Sequence, residues 1–174
     1  MKDNLLSLAV TYLTDGVTWL VDENLTADDI GVLHLPTWLQ AVTNRSDLNK
    51  ALRLKKTQVN FSDFNLDEMA ASSKVVYRIS KEKLLAHHCI NQSLRNLKRG
   101  GELILLGGKQ DGIKSIVKNL DKIYGSKTRI KKHGTSYVAT CTMEDSLYQR
   151  LHAQPDFPGL PDDSYTKLRK VSHR

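Results

Sequence analysis

Cysteine, proline and aromatic residues are all scarce in this chain of 174 residues: two Cys, four Pro and an aromatic share of 6%. Cys89 and Cys141 lie far apart and share no CxxC spacing, which argues against a disulfide scaffold and predicts two free thiols in a reducing, cytoplasmic setting. No apolar run approaches the ~20 residues needed to cross a bilayer, so no membrane is expected as a partner. The opening MKDNLLSLAVTYLTDG resembles a signal peptide in outline. Ser7, Thr11 and Tyr12 interrupt its apolar run and no small-residue cleavage site follows, so it reads as a first helix. The low aromatic content speaks against base stacking in the manner of single-strand binders. No serine sits in a GxSxG elbow, and no Pro-Pro pair occurs. Acidic residues are also in deficit, 19 against 26 Lys and Arg, for a formal charge of +7. That balance favours polyanionic partners without saying anything about fold.

What is present is an alternation of strand and helix signals. Asn4 to Leu13 carries helical spacing, and Asp15-Gly16 turns the chain into an apolar run, Val17 to Val21. Asp22 to Gly31 reads as irregular, Val32 to Leu35 as a second short strand ended by Pro36, and Thr37 as the cap of a helix toward Leu54. Gln58 to Phe61 and Lys74 to Ile79 read as strands, with a helical turn over 66–71 between them. Ser80 is placed to cap a helix running to about Lys98, which Gly100-Gly101 would end. Leu103 to Leu106 is the central buried strand, Gly107-Gly108 a turn, and Ile113 to Ile123 an amphipathic helix closed by Gly125. Lys127–Lys132 and Tyr137–Met143 flank His133-Gly134 as a hairpin. From Glu144 onward, Pro155, Pro158 and Pro161 with Asp162 and Asp163 read as a linker or tail.

This alternation predicts an α/β fold with a mostly parallel sheet covered on both faces and a C-terminal antiparallel hairpin. It resembles the class I methyltransferase (Rossmann-like) arrangement, seven-stranded with its last strand reversed. Ligands of such sheets sit at the carboxyl ends of the strands, where the first strand should enter a glycine-rich turn. Here Val21 runs into Asp-Glu-Asn-Leu-Thr-Ala, with no glycine over 22–27. Asp22 and Glu23 form either an acid/base pair or a solvated turn, the second being the common case. GGKQDG precedes a helix but lacks the Gly-Lys-Ser/Thr ending of a phosphate loop, leaving turn chemistry or an anion at the helix N-terminus. His87-His88-Cys89 are neighbours on one helix and point apart, so they cannot converge on one ion; one should be buried and two partly exposed. Basic residues cluster as Arg53, Lys55 and Lys56, as Lys98 and Arg99, and as Lys127, Arg129, Lys131 and Lys132. Alternation puts Lys127, Arg129 and Lys131 on one strand face, as phosphate contacts or as charges that guard a sheet edge.

The run LKRGGELILLGGKQDGIKSIVKNL, preceded by KVVYRISKEKLLAHHCINQSLRNL and followed by Lys131-Lys132 and TSYVATCT, resembles the N-terminal half of the two-domain ribosomal RNA guanine-N2 methyltransferases. The likeness covers about Lys74 to Met143 and is topological before that. In that family the N-terminal half is degenerate, lacks an S-adenosylmethionine site, and supports RNA binding and the stability of a catalytic C-terminal half. The resemblance therefore implies residues 1–145 as a methyltransferase-like domain without cofactor, catalytic or metal residues. It implies 146–174 as a linker toward a catalytic domain that would hold S-adenosylmethionine and the Asn-Pro-Pro-Tyr motif. The place matching that motif here reads Tyr77-Arg78-Ile79-Ser80-Lys81. Expected partners are ribosomal RNA and the catalytic half. Two other readings stay open: a stand-alone methyltransferase with a divergent cofactor loop, and a purely structural interaction domain.

Overall fold

Seven strands make one sheet in the order β3-β2-β1-β4-β5-β7-β6 in the computed structural model, which describes residues 4–162. The elements in chain order are α1 (Asn4–Val10), β1 (Thr18–Leu20), α2 (Ala27–Gly31), β2 (Gln40–Thr43), α3 (Ser46–Leu54), β3 (Gln58–Phe61) and β4 (Ser72–Arg78). There follow α4 (Lys83–Asn96), β5 (Leu97–Gly108), α5 (Ile113–Tyr124), β6 (Arg129–His133), β7 (Ser136–Thr142) and α6 (Asp145–Ala153). β1 to β5 run parallel to one another, and β7 is antiparallel to both β5 and β6. This is the expected fold, with the last strand reversed.

The sheet divides two apolar layers. On one face α4, α5 and α6 cover Leu20, Val75, Tyr77, Leu103, Leu105 and Cys141; on the other α1, α2 and α3 cover Trp19, Ala41, Val76, Ile104 and Leu106. Central strands buried on both faces read as continuous apolar runs, which is why β4 and β5 stand out in the sequence. The α5 stripe of Ile113, Ile116, Val117 and Leu120 is wholly buried, and Gly125 closes the helix in the left-handed region at φ 69.

Several local expectations are corrected. The second strand is Gln40–Thr43, and Val32 to Leu35 is loop, so no helix begins at Thr37. Residues 22–31 are not all irregular: Thr26 and Asp29 form a reciprocal capping box that starts α2. α4 begins at Lys83 behind Glu82, because the Ser80 side chain turns back to the preceding loop. Neither glycine pair is a turn. Gly100-Gly101 lies inside β5, where the β4–β5 register shifts between Ser72 and Lys74. Gly107-Gly108 stays in β5, paired with Tyr137 and Ser136, and a Cβ on Gly107 would stand 3.0 Å from Ile79 Cγ1. The chain beyond Glu144 is not an extended linker at first: α6 forms, Leu147 and Leu151 are buried, and Leu160 enters the core. Apolar anchors at those positions outweigh the three prolines. The remaining tail, from Asp163, lies outside the described residues.

Candidate functional site

At the carboxyl end of the sheet the chain closes on itself. Asp22 Oδ1 accepts from the Asn24 backbone N–H and from Asn24 Nδ2, both at 3.0 Å. Asn24 Nδ2 also donates to the Ile79 carbonyl at 3.3 Å, beyond the end of β4. Next to it the Ser80 hydroxyl donates to Glu23 Oε1 while accepting from Glu82 N–H at 3.0 Å. Tyr77 Oη accepts from Ser80 N–H at 3.2 Å. The loop after β1 is thus tied to the loop after β4, across the place where a ligand would enter. The cavity beside it, between Leu5, Trp19, Asp22, Asn24, Leu25 and Arg78, leaves about 10 Å³, room for about one water.

Asp22 and Glu23 are not a solvated turn. Asp22 is 3% exposed and its Oδ2 has no hydrogen-bond partner among the described residues. Burial first, then the charge of Glu23, push its carboxyl from 3.8 to about 7, against the pull of Asn24. Cys89 is fully buried and burial raises its thiol well above the ordinary range, which removes it as a nucleophile; Cys141 is buried and raised for the same reason. All three of His87, His88 and Cys89 are buried, which corrects the expectation of one. His87 Nδ1 meets the Pro161 carbonyl and His88 Nδ1 meets Asp162, so the rings serve packing. Among the described residues no cluster of His, Cys, Asp and Glu could hold a metal ion. At the GGKQDG turn, Asp111 Oδ2 accepts from Gly108 N–H at 2.7 Å. That bond closes the short turn over 109–111 that leads into α5.

The nine basic residues do not form one patch. Arg53, Lys55 and Lys56 end α3 beside the outer strand β3; Arg129, Lys131 and Lys132 belong to the opposite outer strand β6. Six strand spacings, roughly 29 Å, separate the two strands. Lys98 and Arg99 lie at the start of β5. Three arginines are engaged within the fold. Arg53 Nε donates to Asn49 Oδ1 at 2.9 Å; the Arg99 guanidinium stands 4.7 Å from the Tyr148 ring centre and 3.5 Å from Asp145 Oδ1. Arg129 is 3.9 Å from Glu102, which Lys74 approaches at 3.9 Å from the other side. Lys56, Lys98, Lys127, Lys131 and Lys132 are exposed, and Lys55 is half-buried. On β6 Arg129 and Lys131 pair with Thr140 and Val138 and share a face, as expected; Lys127 precedes the strand.

A strand order of 3-2-1-4-5-7-6 with only β7 reversed matches a known family of domains. The model of the methyltransferase small domain N-terminal family matches residues 13–148. The chain belongs to that family. Among solved structures, a T. thermophilus 16S rRNA N2 G1207 methyltransferase (RsmC), in complex with AdoMet and guanosine, aligns with TM-score 0.63 and 17% identity over 92% of this chain. The match spans 41% of that protein, so the chain covers less than half its length. A rRNA methylase from Streptococcus thermophilus aligns with TM-score 0.53 and 17% identity, over 83% of this chain and 99% of its own. A ribosomal protein L11 methylase from Lactobacillus delbrueckii subsp. bulgaricus gives 0.58 and 12%, over 80% and 77%. At these identities the likeness is one of fold. No curated protein matches the sequence.

The residues at the carboxyl end do not fit the AdoMet that this fold commonly holds. The loop after β1 has no glycine through which its backbone could approach a ligand. Its side chains span the sheet end, tied to Ile79 and Ser80 of the loop after β4. After β2, where nucleotide-type sheets present an acidic residue to ribose hydroxyls, the chain reads Thr43-Asn44-Arg45, and Thr43 Oγ1 is taken by Arg45 N–H at 3.2 Å. Sequence reading found the missing glycines. It did not find the ties from Asn24 to Ile79 and from Glu23 to Ser80, which join residues more than 50 positions apart.

Proposed function

We propose that this chain is the accessory, non-catalytic N-terminal domain of a two-domain ribosomal RNA guanine-N2 methyltransferase. In this reading it binds no S-adenosylmethionine, helps a catalytic half engage ribosomal RNA, and stabilises that half. The observation that carries the reading is the glycine-free loop 22–26, hydrogen-bonded across the sheet end where the cofactor would lie. Membership in an N-terminal family supports it, as does alignment with less than half of a protein described as an rRNA methyltransferase. RNA contact in this reading falls to the exposed lysines of the β6 edge, Lys127, Lys131 and Lys132.

Phosphate contacts release counterions, so affinity should fall with salt by a slope near −0.9 per contact, or roughly 40-fold between 50 and 200 mM for three contacts. Binding to structured ribosomal RNA should follow that slope, and Lys131→Glu with Lys132→Glu should flatten it by about two contacts. RNA affinity that ignores salt, or none at all with the catalytic half attached, would contradict the reading.

One observation favours a second reading, a structural domain whose basic surface serves solubility. Arg53, Arg99 and Arg129 are exposed, yet each is engaged with the fold's own groups. In that case the catalytic half would gain stability from this domain while RNA affinity stayed unchanged.

A further inference from the structure

α4 is buried on nearly all sides, yet it carries His87, His88, Asn91 and Arg95, four polar residues on one flank at roughly helical-turn spacing. Three of them are less than 10% exposed, and buried polar groups need partners. Their partners are supplied by the chain after α6. Arg95 Nη1 donates to the Pro155 carbonyl and Nη2 to the Phe157 carbonyl, both at 2.7 Å. Asn91 brackets one residue: its Nδ2 donates to the Leu160 carbonyl at 2.8 Å and its Oδ1 accepts from Leu160 N–H at 2.9 Å. His87 Nδ1 donates to the Pro161 carbonyl at 2.8 Å, and His88 stands 3.2 Å from Asp162 Oδ2. The last three turns of α4 therefore hold five residues between 155 and 162, four of them through their backbone.

Apolar packing sets the register. The Leu160 side chain is fully buried, and the Phe157 ring lies 5.1 Å from that of Tyr124, whose hydroxyl donates to Asn91 Oδ1. Gly159 has no alternative at its position. Its φ is +63, and a Cβ would come within 2.6 Å of both Asn91 Oδ1 and Tyr124 Oη. Pro155, Pro158 and Pro161 suit an extended segment that offers carbonyls without needing partners for its own N–H groups.

We propose that residues 154–162 are a latch and not a linker. They seat on α4 and fix the point and direction at which the chain leaves the domain. A domain that follows would then be tethered from a fixed point on this one, which is how an accessory half could help to position a catalytic half. This last step rests on the two-domain reading above; the latch itself does not.

Hydrogen exchange on the full chain tests it, read residue by residue. The Leu160 amide should be protected in the wild type. Asn91→Ala should raise its exchange roughly tenfold or more, while amides of β4 and β5 keep their protection. Gly159→Ala should release the same segment from its own side of the contact, by driving a Cβ against Asn91 Oδ1 and Tyr124 Oη, and so repeats the test. The latch is refuted if 154–162 exchanges like free peptide in the wild type. It is refuted equally if Asn91→Ala and Gly159→Ala loosen the sheet and the segment together, which would make the segment ordinary core. RNA binding plays no part in this readout. A protected latch with no RNA affinity would sink the accessory function alone.

Discussion

Asp22 shows how a single side chain records what has happened to the site. Its position in the sequence, first after a buried strand and next to another acid, reads as surface. In the fold it is buried, and burial with the nearby Glu23 charge raises its carboxyl to about 7. Because the folded-state value is raised above the unfolded one, the folded protein holds a proton that the unfolded chain has lost. Its contribution is complete below about pH 4 and is lost as pH rises toward 7, amounting to a few kcal/mol at most. Asp22→Asn keeps an oxygen to accept from Asn24 and removes the titration. The variant should be more stable than the wild type at pH 8 and lose that advantage by pH 4, measured by denaturant unfolding. Equal stability differences at both pH values would show that Asp22 titrates normally. Nothing in the local sequence signals this state. It depends first on burial, which only the assembled fold supplies.

At the scale of elements, the sequence was a good guide where burial imposes a period and a poor one where two elements meet. β4 and α5 carry unbroken patterns and fall where those patterns put them, whereas β5 contains the expected 103–106 core but runs from Leu97 to Gly108. β2 was missed because only Ala41 and Val42 of its four residues are apolar, while Val32 to Leu35 offers a better-looking run that packs as loop. The glycine pairs misled for a related reason. Glycine marks turns, but it also marks places where a backbone must come close to a neighbour. Gly101 is one: a Cβ there would stand 2.9 Å from the Ser73 carbonyl and 3.0 Å from that of Lys98. Those are backbone atoms and cannot swing away. Gly101→Ala should therefore cost about 1–3 kcal/mol, a clear fall in Tm, and should show its largest structural change at the β4–β5 register shift. A neutral Gly101→Ala would mean that the two strands are less tightly joined there. The α2 start was legible and overlooked, since Thr26 and Asp29 have capping-box spacing.

For the molecule as a whole, fold and site were not equally legible. Strand and helix signals that alternate and end in a hairpin make the α/β architecture legible in the sequence, while the strand order is seen only in the fold. The basic residues could not be sorted in the same way, because sequence does not say which of them lie on the same sheet edge. Lys55 and Lys56, after α3 beside the outer strand β3, and Lys131 and Lys132, on the opposite outer strand β6, are distinguished only by the strand order. That separation makes a contrast available: Lys131→Glu/Lys132→Glu should weaken ribosomal RNA binding about tenfold or more at low salt, while Lys55→Glu/Lys56→Glu should leave it within a factor of about two. Equal losses in the two variants would point to diffuse attraction by net charge. The central claim is that this methyltransferase fold has closed the place where its cofactor would sit. Titration calorimetry of the 174-residue chain with S-adenosylmethionine tests it most directly. The loop ties from Asn24 and Glu23 predict no saturable heat into the millimolar range, and binding with a micromolar constant would contradict the claim.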